Sequence, residues 1–304
     1  TIGTAHLGEF GGRDNIGKTE SEIFQGLSDP GTAIVPFGDD YFDTLLNNAQ
    51  QFTQNILTFG ERDVSLADAG VDMQQAKEIG LTDEDTVLLM GDVFADDVEV
   101  GNTSTFSLNF NFDIDEIESQ NVTLNFAGEH NISNALAAAA CAQALGLSID
   151  DIAKGLDAAK PAKGRLNFIE FGRHTLIDDT YNANPSAVIA ATQVLVSQGA
   201  PTLLVLGDIG ELGDAAQEEH RKLGEAIAAS GVTVLYTVGE LTPVTVAQAQ
   251  ASGMQAQAYP DKATLLAAIK DKLTSSDDAW HILFKGSRYM RMEQIIDELT
   301  RQPF

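Results

Sequence analysis

The sequence predicts an α/β protein of two domains, the second with a Rossmann-like fold and a mostly parallel sheet. The chain has 304 residues, of which 43% are hydrophobic, enough for two cores. After a short linker at 160–164, apolar strand patterns and amphipathic helix patterns alternate regularly. Such alternation is typical of right-handed βαβ units. We therefore expect a first domain at 1–160 and a second domain at 161–304.

The second domain has the clearer pattern of elements. Its predicted strands lie at 203–206, 234–238, 255–259 and 281–284. Its predicted helices lie at 187–196, 215–229, 244–251, 262–273 and 289–300. Asn184 and Pro185 fit the N-cap and the first position of one helix. Asp214 and Gln217 fit a capping box at the start of another.

The first domain is predicted to mix parallel and antiparallel strands. Strands are expected at 33–37 and 55–59, and an antiparallel pair at 103–110 and 121–126. Helices are expected at 41–51 and 131–145, and a third begins after Ser148 with Asp151 completing its capping box. Cys141 lies in the alanine-rich second helix, where we expect a small core residue.

The charge of the chain excludes several classes of partner. There are 45 acidic residues against 18 basic ones, a net charge of −27, and the acids are dispersed. Without a basic stripe, nucleic acid is not an expected partner. A saline habitat would explain the charge, because salt screens repulsion between like charges.

The sequence has no run of 18 apolar residues and no signal-peptide pattern at the start. We therefore expect a cytoplasmic protein that does not insert into membranes. We also expect a monomer.

Polar residues concentrate in the segment 178–186, which reads DDTYNANPS. It follows a β-like run at 175–177 and precedes a helix pattern. Two carboxylates, a phenol and two carboxamides thus crowd the carboxyl end of a strand, where open α/β sheets bind ligands. The alternative interpretation is a well-capped turn without a ligand.

This segment resembles the signature of the Mur ligases. Further motifs of that family follow in the expected order, and the match covers nearly the whole chain, with 60–125 least distinctive. They are AHL at 5–7, EIF at 22–24, GEHNISNAL at 128–136, GR at 164–165, GDIGELG at 207–213 and KGSR at 285–288.

The resemblance implies an ATP-dependent ligase of peptidoglycan synthesis. It makes 1–160 part of the central ATP-binding domain and 161–304 the C-terminal Rossmann-like ligase domain. The DxYNANP form is most similar to the branch that adds D-alanyl-D-alanine (D-Ala-D-Ala) to UDP-N-acetylmuramoyl-tripeptide (UDP-MurNAc-tripeptide). In that branch ATP converts a carboxylate into an acyl phosphate, which the dipeptide amine attacks. Two alternatives stay open: another Mur ligase or a folylpolyglutamate synthase-like ligase, and a catalytically silent nucleotide-binding fragment.

A formal phosphate-loop pattern, GxxxxGK[ST], occurs at 12–19. A true phosphate loop follows a buried apolar strand, whereas the residues before Gly12 are typical of a loop. The resemblance also places the family's phosphate loop upstream of Thr1. We therefore expect the chain to be a fragment that lacks the N-terminal domain and the ATP phosphate loop.

The resemblance implies two ligands for Mg²⁺, His6 and Glu20. At the position of Glu20 the family usually has a lysine, which is carbamylated to give a carboxylate near the metal. Glutamate would supply a permanent carboxylate, with water bridging its shorter reach. The alternative is an exposed acid at the start of a helix, where the helix dipole stabilises it.

The nucleotide contacts are expected in both domains. Asn131 and Asn134 are three residues apart and so share one helix face, and carboxamides suit the edge of adenine. The resemblance makes them adenine contacts, with an N-cap and a polar helix face as the alternative. The resemblance makes Arg165 a nucleotide contact, with a solvated linker arginine as the alternative. Asp179 would accept hydrogen bonds from the ribose hydroxyls.

The remaining predicted site residues belong to the amine acceptor and to the chemistry. Tyr181, Asn182 and Asn184 would line the acceptor side. The run 285–288 joins a strand to the last helix, so its amide groups, with Ser287 and Arg288, would bind the dipeptide carboxylate. The candidate catalytic residues are Lys285 and Asp208.

Overall fold

In the computed structural model, the residues described are 2–3, 7–65, 69, 77, 81–82, 86–113, 116–199, 201–275 and 277–301. The chain divides into two compact units. The first unit comprises Thr1–Ile2, Asp14–Asn125 and Glu129–Ala159. The second unit comprises Gly3–Arg13, Phe126–Gly128 and Lys160–Phe304. Within the ranges described, no helix is both long enough and apolar enough to span a bilayer.

The first unit is built on a five-stranded sheet and a separate hairpin. Its strands are β1 (Thr32–Pro36), β2 (Asn55–Phe59), β3 (Glu61–Ser65), β4 (Thr86–Met90), β5 (Val93–Glu99), β6 (Ser104–Asp113) and β7 (Glu116–Leu124). The main sheet has the order β1-β2-β5-β6-β7, and β3 pairs with β4. The β1–β2 and β2–β5 pairs are parallel, whereas β5–β6 and β6–β7 are antiparallel. The predicted antiparallel pair is therefore confirmed, although β3, β4 and β5 were not predicted.

Short helices begin the chain and longer ones cover the first sheet. The helices are α1 (Leu7–Phe10), α2 (Arg13–Ser21), α3 (Phe42–Ala49), α4 (Glu129–Ala144) and α5 (Ile149–Ala158). The hydroxyl of Ser148 accepts a hydrogen bond from the amide of Asp151 at 3.3 Å, which confirms the predicted cap of α5. Among the ties between α5 and the sheet, the carboxylate of Asp157 accepts the amide of Thr123 at 2.6 Å.

The buried face of α4 does not include its cysteine. Ile132, Leu136 and Ala139 face the core, whereas Cys141 is exposed. Each residue turns the helix by about 100°, so Cys141 lies about 200° from Ala139 and points away from the sheet. The prediction of a core cysteine was wrong, because an alanine-rich helix gives little contrast between its two faces.

The second unit has a six-stranded sheet of order β12-β11-β10-β13-β9-β8. The strands are β8 (Asn167–Phe171), β9 (His174–Asp179), β10 (Thr202–Gly207), β11 (Val234–Val238), β12 (Gln255–Tyr259) and β13 (His281–Lys285). All neighbours are parallel except the β8–β9 hairpin. The helices are α6 (Pro185–Ser197), α7 (Ala216–Ala229), α8 (Thr242–Ala251), α9 (Lys262–Thr274) and α10 (Glu293–Arg301). The predicted mostly parallel sheet is confirmed.

Two helix starts in this unit differ from the prediction. A 3₁₀ turn at Arg288–Met290 and a left-handed Arg291, with φ 47°, precede α10, which begins at Glu293. Another 3₁₀ turn, at Gly213–Ala215, runs into α7, whose start has no side-chain cap. The predicted capping role of Asp214 was therefore wrong. By contrast, Asn184 caps α6 as predicted, with its oxygen 2.8 Å from the amide of Ala187.

Candidate functional site

A buried ion pair joins the carboxyl ends of two neighbouring strands in the second unit. Parallel pairing of β9 with β13 places Asp179 opposite Lys285. Their side chains, 10% and 4% exposed, meet with Nζ 2.5 Å from Oδ2. The ammonium also donates to the carbonyl of Asn182 at 3.0 Å, and the other oxygen of Asp179 accepts the amide of Leu166 at 3.3 Å. The pair is thus held at the strand ends, where α/β sheets bind ligands.

The residue that follows the linker is an arginine beside this strand end. The guanidinium of Arg165 lies over the ring of Tyr181, 4.3 Å from its centroid, a cation–π contact. Gly164 accepts the amide of Tyr181 at 3.0 Å and has φ 75°. A Cβ on Gly164 would lie 3.0 Å from that amide nitrogen, so glycine suits the position. Both predicted ligand residues, Arg165 and Tyr181, are exposed.

The asparagines of the turn are partly used by the protein itself. The carboxamide oxygen of Asn184 serves the α6 cap, which leaves its amide group for a ligand. The oxygen of Asn182 accepts the backbone amide of Arg288 at 3.2 Å. Asn182 lines the cavity described below, whereas Asn184 does not.

Asp208 has a structural use that the sequence did not reveal. It is 5% exposed, and its two oxygens accept the amides of Glu240, Leu241 and Thr242 at 2.7–3.0 Å. These amides begin α8, so the carboxylate holds the start of that helix. A Cβ on Gly239 would lie 2.2 Å from Oδ1 of Asp208, so the turn needs glycine. The geometry therefore gives Asp208 a structural use, and its predicted catalytic role stays a prediction.

The run 285–288 differs locally from the expected start of a long helix. The amide of Ser287 donates to the carbonyl of Asp208 at 3.0 Å, and that of Arg288 donates to Asn182. A 3₁₀ turn, not the first turn of a long helix, follows this run. The amides of Ser287 and Arg288 are therefore occupied, and carboxylate binding at this run stays a prediction. The side chain of Arg288 remains 61% exposed and pairs with Glu293 at 3.0 Å.

A cavity of about 750 Å³ opens next to this loop. It carries both signs of charge, from two arginines and three carboxylates. The lining residues are Asn182, Gly210, Glu211, Ser287, Arg288, Tyr289, Arg291, Glu293, Gln294 and Asp297. The Tyr289 ring lies close to Gly210, where an added Cβ would be 2.9 Å from Cε1. Burial, and then the charges of Asp208 and Glu240, raise the pKa of the Tyr289 phenol, which therefore stays neutral. Such a cavity suits a small zwitterion.

In the first unit the two predicted adenine contacts lie together. Nδ2 of Asn134 donates to Oδ1 of Asn131 at 3.2 Å on α4, and Asn134 is exposed. A second cavity, of about 490 Å³, lies against other residues of the same helix, Ile132 and Leu136 among them. Neither asparagine lines that cavity. The prediction that the two carboxamides share one helix face is therefore confirmed.

Of the two predicted metal ligands, the structure describes only Glu20. His6 lies outside the described residues. Glu20 is exposed in the last turn of α2, not at a helix start, so the dipole argument for it as a structural acid was wrong. In the part of the chain that the structure describes, no three His, Cys, Asp or Glu side chains form a metal-binding group.

The GxxxxGK[ST] pattern at 12–19 is not a phosphate loop. Residues 13–19 belong to α2, and no strand immediately precedes them. Gly17 packs against the Tyr41 ring, where a Cβ would be 2.9 Å from Cδ1. The missing side chain of Gly17 thus allows close packing of the helix. This agrees with the expectation that the pattern is not a true phosphate loop.

Sequence reasoning missed three residues that line the cavity, Glu211, Tyr289 and Arg291, and one that bonds to the loop beside it, His220. The motif GDIGELG contains Glu211, but no specific role was predicted for its carboxylate. His220 is fully buried at 0% exposure, and nothing in its local sequence distinguishes it from a surface residue of an amphipathic helix. The other two fall in a segment predicted to be an ordinary helix.

Two family models together match most of the chain. Residues 1–142 match the Mur ligase middle domain, and residues 164–288 match the Mur ligase, glutamate ligase domain. The chain belongs to the Mur ligase family.

Two curated relatives carry the same name. The UDP-N-acetylmuramoyl-tripeptide–D-alanyl-D-alanine ligase of Escherichia coli K12 is 32% identical over 302 residues, covering 98% of this chain and 58% of the relative. The ligase of the same name from Bacillus subtilis 168 is 30% identical, covering 99% and 58%. The chain thus spans 58% of the length of these two relatives.

Solved structures agree with this placement. A crystal structure of MurF from Acinetobacter baumannii has a TM-score of 0.82 at 38% identity, covering 99% of this chain and 58% of that one. MurF from Thermotoga maritima, solved in complex with ADP, has a TM-score of 0.71 at 23% identity, covering 99% and 60%. The second likeness concerns the fold alone.

Proposed function

We propose that this chain forms part of an ATP-dependent ligase that adds D-Ala-D-Ala to UDP-MurNAc-tripeptide. ATP would phosphorylate the terminal carboxylate of the tripeptide, giving an acyl phosphate and ADP. The dipeptide amine would then attack the acyl carbon and release phosphate. The observation that carries the proposal is the buried Asp179–Lys285 pair at the strand ends, next to the DxYNANP turn.

The contacts of Lys285 suggest how it takes part. An ammonium group has three N–H donors. Two of them go to Asp179 and to the carbonyl of Asn182, which leaves one for a ligand oxygen. Held in this fixed direction, the charge would stabilise a phosphate oxygen without a cost of reorganisation. Asp208 would act only through the loop that it positions.

The proposed nucleotide contacts are the four residues predicted from the sequence. In the second unit, Asp179 would accept a ribose hydroxyl, and Arg165, which Tyr181 orients, would contact a phosphate. In the first unit, Asn131 and Asn134 would meet adenine through their carboxamides.

Mg²⁺ is the expected partner of the triphosphate. The exposed carboxylate of Glu20 would supply an oxygen ligand, and the imidazole of His6 would supply a nitrogen ligand. Bound Mg²⁺ would neutralise negative charge on the phosphates. This proposal keeps Glu20 as a permanent replacement for a carbamylated lysine. An active full-length enzyme whose rate depends strongly on added bicarbonate would contradict it.

The acceptor dipeptide would occupy the 750 Å³ cavity. D-Ala-D-Ala is a zwitterion with an ammonium group at one end and a carboxylate at the other. Glu211 and Asp297 offer acceptors for the first charge, and Arg288 and Arg291 offer donors for the second. Ser287 and Asn182 lie on the same wall, close to the strand ends.

Phosphate release by the full-length protein tests this function. With ATP, Mg²⁺ and UDP-MurNAc-tripeptide, we expect release that requires D-Ala-D-Ala and that single amino acids do not support. Release with L-glutamate on a folate substrate would instead indicate a folylpolyglutamate synthase. ATP binding by calorimetry without release for any acceptor would indicate a silent nucleotide-binding protein.

A further inference from the structure

The loop between β10 and the 3₁₀ turn, residues 208–212, carries Glu211 to the wall of the acceptor cavity. Glu211 has φ 64°, a left-handed conformation that is unfavourable for a residue with a Cβ. Such a conformation persists only where the surroundings impose it. The residues that hold Glu211 in this conformation therefore help to shape the cavity wall.

Each residue of this loop from Asp208 to Glu211 has a backbone tie. The carbonyl of Asp208 accepts the amide of Ser287 at 3.0 Å, and the amide of Gly210 donates to the hydroxyl of Ser287 at 2.8 Å. The carbonyl of Glu211 accepts the amide of Gly8 at 3.1 Å. The amide of Ile209 donates to Nε2 of His220 at 3.3 Å. The tie through His220 connects the loop to α7.

The two partners of His220 fix its protonation state. Nδ1 lies 2.8 Å from the carbonyl of Ala216, which can only accept, so Nδ1 carries a proton. Nε2 faces the amide of Ile209, which can only donate, so Nε2 carries none. The ring is therefore the neutral Nδ1–H tautomer. At 0% exposure, no water can replace either partner without a change of structure.

We propose that His220 is a positioning residue for the acceptor site: through Ile209 it holds the loop so that Glu211 presents its carboxylate to the incoming amine. This inference rests on the proposed function. The alternative is a core histidine that contributes to folding but not to amine binding.

Two substitutions distinguish a positioning role from a folding role, because each preserves the hydrogen bond of a different ring nitrogen. In His220→Gln the side-chain oxygen reaches the place of Nε2 and can accept from Ile209. In His220→Asn the amide group takes the place of Nδ1 and can donate to Ala216, but nothing reaches Ile209. The asparagine variant is therefore the test, and the glutamine variant is its matched control.

The measurement is steady-state kinetics of the full-length ligase. We expect His220→Asn to raise KM for D-Ala-D-Ala about tenfold, the scale of one lost buried hydrogen bond, with KM for ATP within about twofold. His220→Gln should stay within about threefold of wild type for both substrates. Equal effects of the two variants, or equal effects on both substrates, would overturn the inference.

Two further measurements keep the inference testable if the asparagine variant is unstable or the ligase reaction is absent. Glu211→Gln keeps the side-chain shape, and we expect it to raise KM for D-Ala-D-Ala without lowering the melting temperature; an unchanged KM would overturn the role of Glu211. Amide exchange of Ile209 in this chain should quicken in His220→Asn and not in His220→Gln. In one outcome, exchange quickens only in His220→Asn while the wild-type protein releases no phosphate with the dipeptide. That result would reject the proposed function but support the hydrogen bond between Ile209 and His220.

Discussion

The buried pair between Asp179 and Lys285 makes a quantitative prediction about stability. In Lys285→Met the methionine fills similar space, but Asp179 keeps a negative charge with no cation at 2.5 Å. Removing one partner of a buried ion pair costs about 3–5 kcal/mol, because the other charge is left unpaired. The carbonyl of Asn182 also loses its donor, within that range. Such a loss is a large part of the 5–15 kcal/mol that typically stabilises a domain.

A double variant shows whether charge causes this loss. In Lys285→Met with Asp179→Asn no charge remains, and the asparagine oxygen can still accept from Leu166. We expect the double variant to regain about 2 kcal/mol or more relative to Lys285→Met.

The assay is urea unfolding followed by tryptophan fluorescence. Trp280 is the one tryptophan of the chain, is 5% exposed and lies next to β13, so its emission reports on the second unit by itself. The midpoint and slope give the free energy of unfolding. A loss below about 1 kcal/mol in Lys285→Met, or no recovery in the double variant, would refute the argument that the pair is buried and coupled.

Four further predictions follow from other features. Asp208→Ala should lower the free energy of unfolding by about 2 kcal/mol, since three amides at the start of α8 lose their acceptor, and Asp208→Asn should lose less; equal losses would contradict this. Cys141 should react with a thiol reagent in the native state, whereas labelling only in denaturant would place it in the core. Burial, and then Arg173, lower the pKa of His174 below its ordinary 6.5, so the unfolded chain takes up the proton first. Stability should therefore fall as pH drops below about 6.5 towards the lowered value, and less steeply in His174→Gln. Potassium chloride should raise the melting temperature by screening the net charge of −27, and a fall would contradict the repulsion argument.

Local patterns were sufficient for much of the second unit. The predicted strands at 234–238 and 255–259 agree with β11 and β12, and the cap at Asn184 lies where it was placed. Alternation of buried strands with amphipathic helices is a property of neighbouring residues, so it can be read from the sequence. Short half-exposed strands such as β3 and β4 have weak patterns, and these were missed.

Part of the candidate site was also predictable. A polar motif directly after an apolar strand lies at the carboxyl end of that strand, so Asp179, Tyr181 and Lys285 could be placed at one edge of the sheet. The use of each side chain was not predictable in the same way. Asp208 follows a strand just as Asp179 does, yet its oxygens cap α8, more than 30 residues further along the chain.

The sequence by itself determined the family, the class of fold and the edge of the sheet where polar groups gather, because hydrophobic periodicity and turn residues act over short distances. Only the tertiary structure decided which of these groups meet. The register between β9 and β13 joins Lys285 to Asp179 across 106 residues, and the packing of α7 joins His220 to Ile209. Such contacts depend on how whole elements pack, because a buried charge or ring nitrogen must find a partner wherever the fold brings one.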